Sequence, residues 1–254
     1  MKRFSKQYFN LIRQFSVTWL KARDRRMFLG VIWSFLNPFL IALTLFFIFR
    51  NDANHGGSFL IYILIGTIIW NFITISVQSA TTIFLWRRDI VKNLSFPKEI
   101  LTFGQVGMYV IEHIFEILIL LGFILVMKIG FSFHIVLIPL IVFVEILLAL
   151  SLATFLSFIS AYAQDIEYIW AAFARVGLFI VPIFYTIESL SDRLQILVKY
   201  NPISQIMIFY RDILLYHHWP NMLNVVLVLA FAILFLFLNI AIFKKYEKNV
   251  VERV

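Results

Sequence analysis

Cysteine is absent from the chain, which excludes disulfides, thiolate metal sites and thiol chemistry. Charge is scarce: only 14% of the 254 residues are Asp, Glu, Lys or Arg. No Gly-Lys pair occurs, so the Gly-Lys-Ser/Thr core of a phosphate-cradling P-loop is missing. If ATP is used, another chain must bind it. The N-terminus lacks the short apolar core and small-residue cleavage site of a removable signal peptide, so the first apolar stretch is expected to stay as a helix. Neither an internal repeat nor a low-complexity linker divides the sequence, and one membrane domain is the economical reading.

What is present is apolar. Hydrophobic residues make up 62% of the chain, more than a soluble domain of this length can hide, whereas lipid solvates them. Six stretches have the length to cross about 30 Å of hydrocarbon at about 1.5 Å per residue. They are residues 27–49, 59–80, 99–127, 135–161, 169–186 and 222–243. The fifth is marginal, because its end at Pro182 and Tyr185 needs the following loop to finish the crossing. Bare backbone is not tolerated in lipid, so helices are expected throughout. The expected fold is an all-α integral membrane protein of six transmembrane helices. An N-terminal interfacial helix precedes them, and short outer-leaflet helices precede the last span.

Residues 1–26 form a basic leader. Phe4, Tyr8, Leu11, Ile12, Phe15 and Trp19 recur at spacings of three and four, on one helical face, with Lys2, Lys6, Arg13 and Lys21 largely off it. Such a helix is expected to rest in the headgroup layer, apolar side down. The alternative is a solvated helix packed on a soluble partner.

A formal charge of +8 resembles a nucleic-acid signature until its location is considered. Eight basic residues lie in the leader: Lys2, Arg3, Lys6, Arg13, Lys21, Arg23, Arg25 and Arg26. Arg87, Arg88, Lys92 and Lys98 follow the second span, and Lys244, Lys245, Lys248 and Arg253 lie in the tail, residues 244–254. The opposite side holds Arg50, Lys128, Arg193, Lys199 and Arg211, leaving Arg175 near enough to a helix end to snorkel. Sixteen against five is a positive-inside bias. It places both termini in the cytoplasm and directs the charge at anionic lipid, not nucleic acid.

Ionisable groups inside a span are expensive and face a bundle interior or a watery path. Glu112 lies about 22 Å up the third span from Pro97, and Glu145 about 24 Å from the cytoplasmic end of the fourth. Glu112, Glu116 and Glu145 are thus expected around one polar zone in the outer half, lining a channel or bonding helices together. Glu112-His113-Ile114-Phe115-Glu116 is not the His-Glu-x-x-His order of a zinc helix, and no metal site is expected. Ala149, Ala153, Ser157 and Ala161 form a small-residue packing stripe. After the second span, Trp86 to Leu94 makes about two amphipathic turns, with Ile90, Val91 and Leu94 an apolar knob amid charge. It is suited to docking a soluble partner, or is a plain positive-inside anchor. The long outer connection, residues 187–220, shows two helical patterns split at Asn201-Pro202 and has the size of a gate. Aromatics, 18% of the chain, can stack on sugar faces, although most of the Phe are expected against lipid or other helices.

Several of these segments resemble one family. Arg23-Asp24-Arg25-Arg26-Met27-Phe28-Leu29-Gly30-Val31-Ile32-Trp33-Ser34-Phe35-Leu36-Asn37-Pro38 is similar to the entry of the first helix in permease subunits of ABC exporters for cell-surface polysaccharides: O-antigen, capsule and teichoic acid. Leu94-Ser95-Phe96-Pro97-Lys98-Glu99, Asp165-Ile166, Val181-Pro182-Ile183-Phe184-Tyr185, Asn201-Pro202-Ile203-Ser204 and Tyr210-Arg211-Asp212 follow in the family's order. Gln164 departs from it, standing where the family often has a basic residue. The resemblance implies a homodimeric permease in the cytoplasmic membrane, paired with two separate ATPase subunits that hold ATP and magnesium. No cofactor is implied on this chain, and the substrate would be a lipid-linked glycan or polyol-phosphate polymer. It carries Arg88, Asp89, Ile90, Val91 and Leu94 over as the ATPase-coupling helix, and Phe184, Tyr185 and Asn201 into outer-gate motifs. Rival readings are a related permease for a drug, haem or lipid; a membrane enzyme with Glu112, His113 and Glu116 as acid–base groups; and a structural scaffold.

Overall fold

A computed structural model describes residues 2–24, 30, 32–49, 56–93 and 96–253. Eleven α-helices occupy them: α1 (Lys2–Asp24), α2 (Ile32–Phe49), α3 (Gly56–Thr81), α4 (Ile83–Trp86), α5 (Arg88–Asn93), α6 (Glu99–Val126), α7 (Ile138–Ser160), α8 (Ile166–Ile180), α9 (Asp192–Tyr200), α10 (Pro202–Leu214) and α11 (Met222–Arg253). Short 3₁₀ turns lie at Phe133–Leu137 and Ile187–Ser189, and no strand is present among the described residues.

Five of the helical stretches are long and apolar enough to span a bilayer: Ile32–Phe49, Ser58–Thr81, Glu99–Val126, Phe133–Ser160 and Met222–Glu247. They are not equivalent. Of the apolar stretch in α3, 83% is buried, against 11% in α2 and 22% in α11. A helix apolar on every side belongs inside a bundle, and α3 is that helix, touching α2, α6, α7, α8 and α10. The bare faces of α2 and α11 are left for lipid or another chain.

The predicted fifth span is shorter in the structure. Helix α8 has 15 residues, about 22 Å by helical rise, short of the hydrocarbon thickness. Pro182 explains the stop: the residue before a proline is pushed out of the helical region, and Val181 sits at φ −84°, ψ 148°. The chain then continues through Val181, Pro182 and Ile183, all buried. Two indoles fasten α8 to α3 reciprocally. Trp70 Nε1 donates to the Ala174 carbonyl at 3.2 Å, and Trp170 Nε1 to that of Thr74 at 3.1 Å.

Helix α1 lies against α6, and two glycines allow it. A Cβ at Gly104 would meet Phe15 Cβ at 2.8 Å, and one at Gly107 would meet Ser16 Oγ at 2.3 Å. Ser16 Oγ reaches the Gly104 carbonyl at 3.0 Å. The aromatic face of α1 meets protein: Trp19 is buried, Phe15 is 5.9 Å from Phe96, and Tyr8 meets the edge of Phe103 at 6.2 Å. The side chain of Phe4 lies outside the described residues.

In the long connection, Asn201 Oδ1 accepts from the Ile203 amide at 2.9 Å and Pro202 takes the first helical position of α10, both standard helix-start devices. Helix α10 does not rest on a surface. Ile206, Met207, Phe209 and Tyr210 are fully buried, and the helix packs against α3, α7, α9 and α11. The stripe on α7 serves as close packing, as its composition suggests: Ala149, Ala153 and Ser157 are fully buried.

Candidate functional site: a buried charged cluster

Glu112, His113 and Glu116 project from α6 within slightly more than one turn, and the bundle closes over them. All three are buried, as is Glu145 of α7. The two ring nitrogens of His113 each face a carboxylate: Nδ1 lies 3.1 Å from Glu116 Oε2, and Nε2 lies 3.1 Å from Glu145 Oε2. Tyr210 of α10 donates its hydroxyl to the same Glu145 oxygen at 2.7 Å. Phe72 of α3 stacks on the imidazole with centroids 4.1 Å apart, holding the ring plane. Glu112 turns the other way and pairs with the Arg23 guanidinium from the end of α1.

Buried charges survive when paired and hydrogen-bonded, and here four helices supply the partners. A cavity of about 140 Å³ adjoins the cluster, lined by Trp33, Asn37, Asn71, Glu112 and Glu116 among others. Of the three carboxylates expected around one zone, Glu116 and Glu145 meet through His113, while Glu112 faces Arg23. Arg23, Phe72 and Tyr210 were not foreseen as members. Among the described residues no group of three His, Asp or Glu has the arrangement of a metal site.

The residues of the expected outer-gate motifs lie elsewhere. Phe184 stacks on Phe49 at 4.8 Å, and the Tyr185 carbonyl accepts from the Tyr62 hydroxyl at 2.8 Å. Asn201 is occupied as the cap of α10. Beside them sits Arg211, counted in the sequence as one of the loop cations but buried to 3% exposure. Its Nη2 reaches the carbonyls of Tyr62 and Ile183, both at 3.1 Å, and its guanidinium lies 3.4 Å from the centre of the Tyr62 ring. No carboxylate pairs with it among the described residues. Its signal was present in the sequence: Met207, Tyr210, Arg211 and Leu214 share one helical face, and the cation lies on it.

The loop between α3 and α6 forms two short helices. Val91 is fully buried, while Arg88, Asp89 and Lys92 are exposed and Ile90 is half-buried. The apolar knob expected to project outward therefore turns inward at Val91 and anchors the loop. The exposed surface is charged, with Trp86, 80% exposed, beside it. Arg87 lies 4.9 Å from the ring of Trp19, tying this loop to α1. Leu94 lies outside the described residues.

An all-helical bundle with several apolar, span-length helices and a buried charged cluster defines a multi-pass membrane protein. Residues 10–215 match the ABC-2 type transporter family, and the chain belongs to that family. It is similar to the O-antigen export system permease protein RfbA of Myxococcus xanthus, 24% identical over 255 residues, covering 98% of this chain and 96% of that protein. It also resembles an O-antigen export system permease protein RfbA of Klebsiella pneumoniae, 22% identical over 196 residues and 76% of each chain.

Proposed function

We propose that this chain is the transmembrane subunit of an ATP-driven exporter that moves a lipid-linked polysaccharide, such as an O-antigen-like, capsular or teichoic-acid polymer, out across the cytoplasmic membrane. The near-full-length likeness to a permease named for O-antigen export carries this reading. Two copies pair in the membrane, each with a separate ATPase subunit that binds ATP and magnesium, and this chain holds no cofactor of its own. Both termini are cytoplasmic, in keeping with the basic residues of α1, of the α4–α5 loop and of the tail.

Six crossings are reached when α8 and the buried segment after it are taken together as one span. Residues 1–26 then form an interfacial leader, 27–243 the permease domain and 244–254 the tail. Arg88, Asp89, Ile90, Val91 and Leu94 belong to the helix that couples to the ATPase, with the buried Val91 anchoring it. Closure of the ATPase pair pushes this loop, and Arg87 on Trp19 passes the push to α1 and thence to Glu112 through Arg23. Glu112, Glu116 and Glu145 line the channel, and Phe184, Tyr185 and Asn201 belong to the outer gate. The glycan moves along aromatics while its lipid anchor stays in the bilayer.

The test is co-purification with a P-loop ATPase, then ATP hydrolysis and export measured with lipid-linked glycan in proteoliposomes. Stimulation of ATP turnover by lipid-linked glycan, and not by lipid alone, is the expected result. Stimulation by a drug, haem or free lipid instead would move the reading to a related permease. The buried carboxylate–histidine cluster also suits an acid–base enzyme acting on lipid-linked sugars. Replacement of Glu112, His113 and Glu116 together by neutral isosteres separates the two: ATP-stimulated export that persists removes the catalytic reading.

A further inference from the structure

Two cavities follow one another along α3 and α6. The smaller, of about 140 Å³, adjoins the charged cluster and takes Ser34, Asn37 and Asn71 into its lining beside Glu112 and Glu116. The larger, of about 670 Å³, lies toward the α4–α5 loop. Gln78, Ser79, Thr82 and Gln105 form its walls, and Trp86, 80% exposed, marks where it opens at the surface. From Gln105 to Glu112 is about 10 Å by helical rise, the step from one cavity to the next. Three side chains line both: Arg23, Ile75 and Tyr109. A side chain that faces two cavities stands between them.

Arg23 is the charged member of this partition. Its guanidinium pairs with Glu112 of α6 and with Asp24 at 3.4 Å, and lies 5.9 Å from the centre of the Tyr109 ring. Helix α1 is seated on α6 without that pair, because Phe15, Ser16 and Trp19 already pack on Gly104 and Gly107. Parting a buried ion pair in a dry interior leaves an uncompensated charge. Here amides and hydroxyls on both sides stand ready to solvate the two charges once they separate. We propose that the Arg23–Glu112 pair is a gate between the two cavities. Paired, it closes the farther cavity to water from the α4–α5 side; parted, it joins the two into one polar lane. Arg87 lies over Trp19, one turn before Arg23 on α1, and ties the gate to the loop. The inference rests on the proposed function for one point, the cytoplasmic placement of that loop, and is independent of what is exported.

Because the chain has no cysteine, single thiols can report on each side of the gate. Ser79→Cys reads the nearer cavity and Asn71→Cys the farther one. The full-length protein in inside-out vesicles, without added nucleotide, is treated with the membrane-impermeant anion methanethiosulfonate ethylsulfonate, and each modification rate is measured. Asn71→Cys is expected to react roughly fivefold more slowly than Ser79→Cys, the cost of parting one partly exposed ion pair. Arg23→Gln and Glu112→Gln should each bring Asn71→Cys up to the rate of Ser79→Cys and leave Ser79→Cys unchanged, and the double variant should go no further. The two substitutions remove opposite charges, so a change of local potential alone would shift the rate of an anionic reagent in opposite directions. Opposite shifts overturn the proposal, as do equal wild-type rates at the two thiols, an Asn71→Cys rate that neither substitution moves, or an additive double variant. Should Asn71→Cys fail to fold, Ser34→Cys on the same cavity reads the same comparison. Reaction of Ser79→Cys only in right-side-out vesicles overturns the cytoplasmic placement of the loop, and the same rates taken from that face then decide the gate.

Discussion

Tyr210 and Arg211 are neighbours in α10, yet they enter two buried polar regions built on opposite principles. Tyr210 joins a cluster in which Glu116, His113, Glu145 and the phenol answer one another at 2.7–3.1 Å. Arg211 enters a pocket with no carboxylate, where two main-chain carbonyls and an aromatic face receive its charge. In the first region each member depends on the others, since removal of one partner from a buried ionic network leaves an uncompensated charge. In the second, the cation bears its desolvation largely alone, and an apolar replacement relieves that cost while stranding two carbonyls. Interdependence, more than charge count, separates the two.

The contrast can be broken by four substitutions. Glu145→Leu, which strands both His113 and Tyr210, is expected to destabilise the detergent-solubilised protein most, by about 3–5 kcal/mol. Thermal unfolding followed by size-exclusion chromatography measures it. Tyr210→Phe removes a single hydrogen bond to a charged acceptor and should cost about 1.5–3 kcal/mol by the same assay. Gly66→Ala places a Cβ 3.0 Å from Arg211 Nη2 and 3.2 Å from the Ile183 main chain. Its overpacking is partly offset by helix propensity, leaving a loss of about 1–2 kcal/mol. Arg211→Met should fall within about 1 kcal/mol of wild type, relief of desolvation balancing the lost hydrogen bonds. If Arg211→Met unfolds the protein as fully as Glu145→Leu does, the distinction between the regions is gone.

The carboxylates of α6 and α7 were legible as one zone because helical rise fixes depth along a span, and depth can be counted. Tyr210 and Arg23 were not legible as partners, because depth says nothing about which elements meet laterally. The same limit hid the role of Arg211: a positive-inside count treats every loop cation as solvated, and α10 is no loop but a helix drawn into the core. Val91 shows the converse. Its amphipathic spacing was read correctly, but spacing does not say which way the apolar side turns, and the nearby protein interior took it. Pro182 lay in plain view as the end of the fifth apolar stretch. Only the structure shows how short α8 becomes and that the residues after it remain buried.

Composition and hydrophobic spacing by themselves determined that this chain is helical, lies in a bilayer and holds acidic groups at depth, because lipid forbids an unpaired backbone whatever the neighbours are. Tertiary structure alone decided which charges meet, that α3 is the axis and α2 the rim, and that the leader packs on α6 through Gly104 and Gly107. Those choices depend on close fit between helices far apart in sequence, which no local pattern encodes.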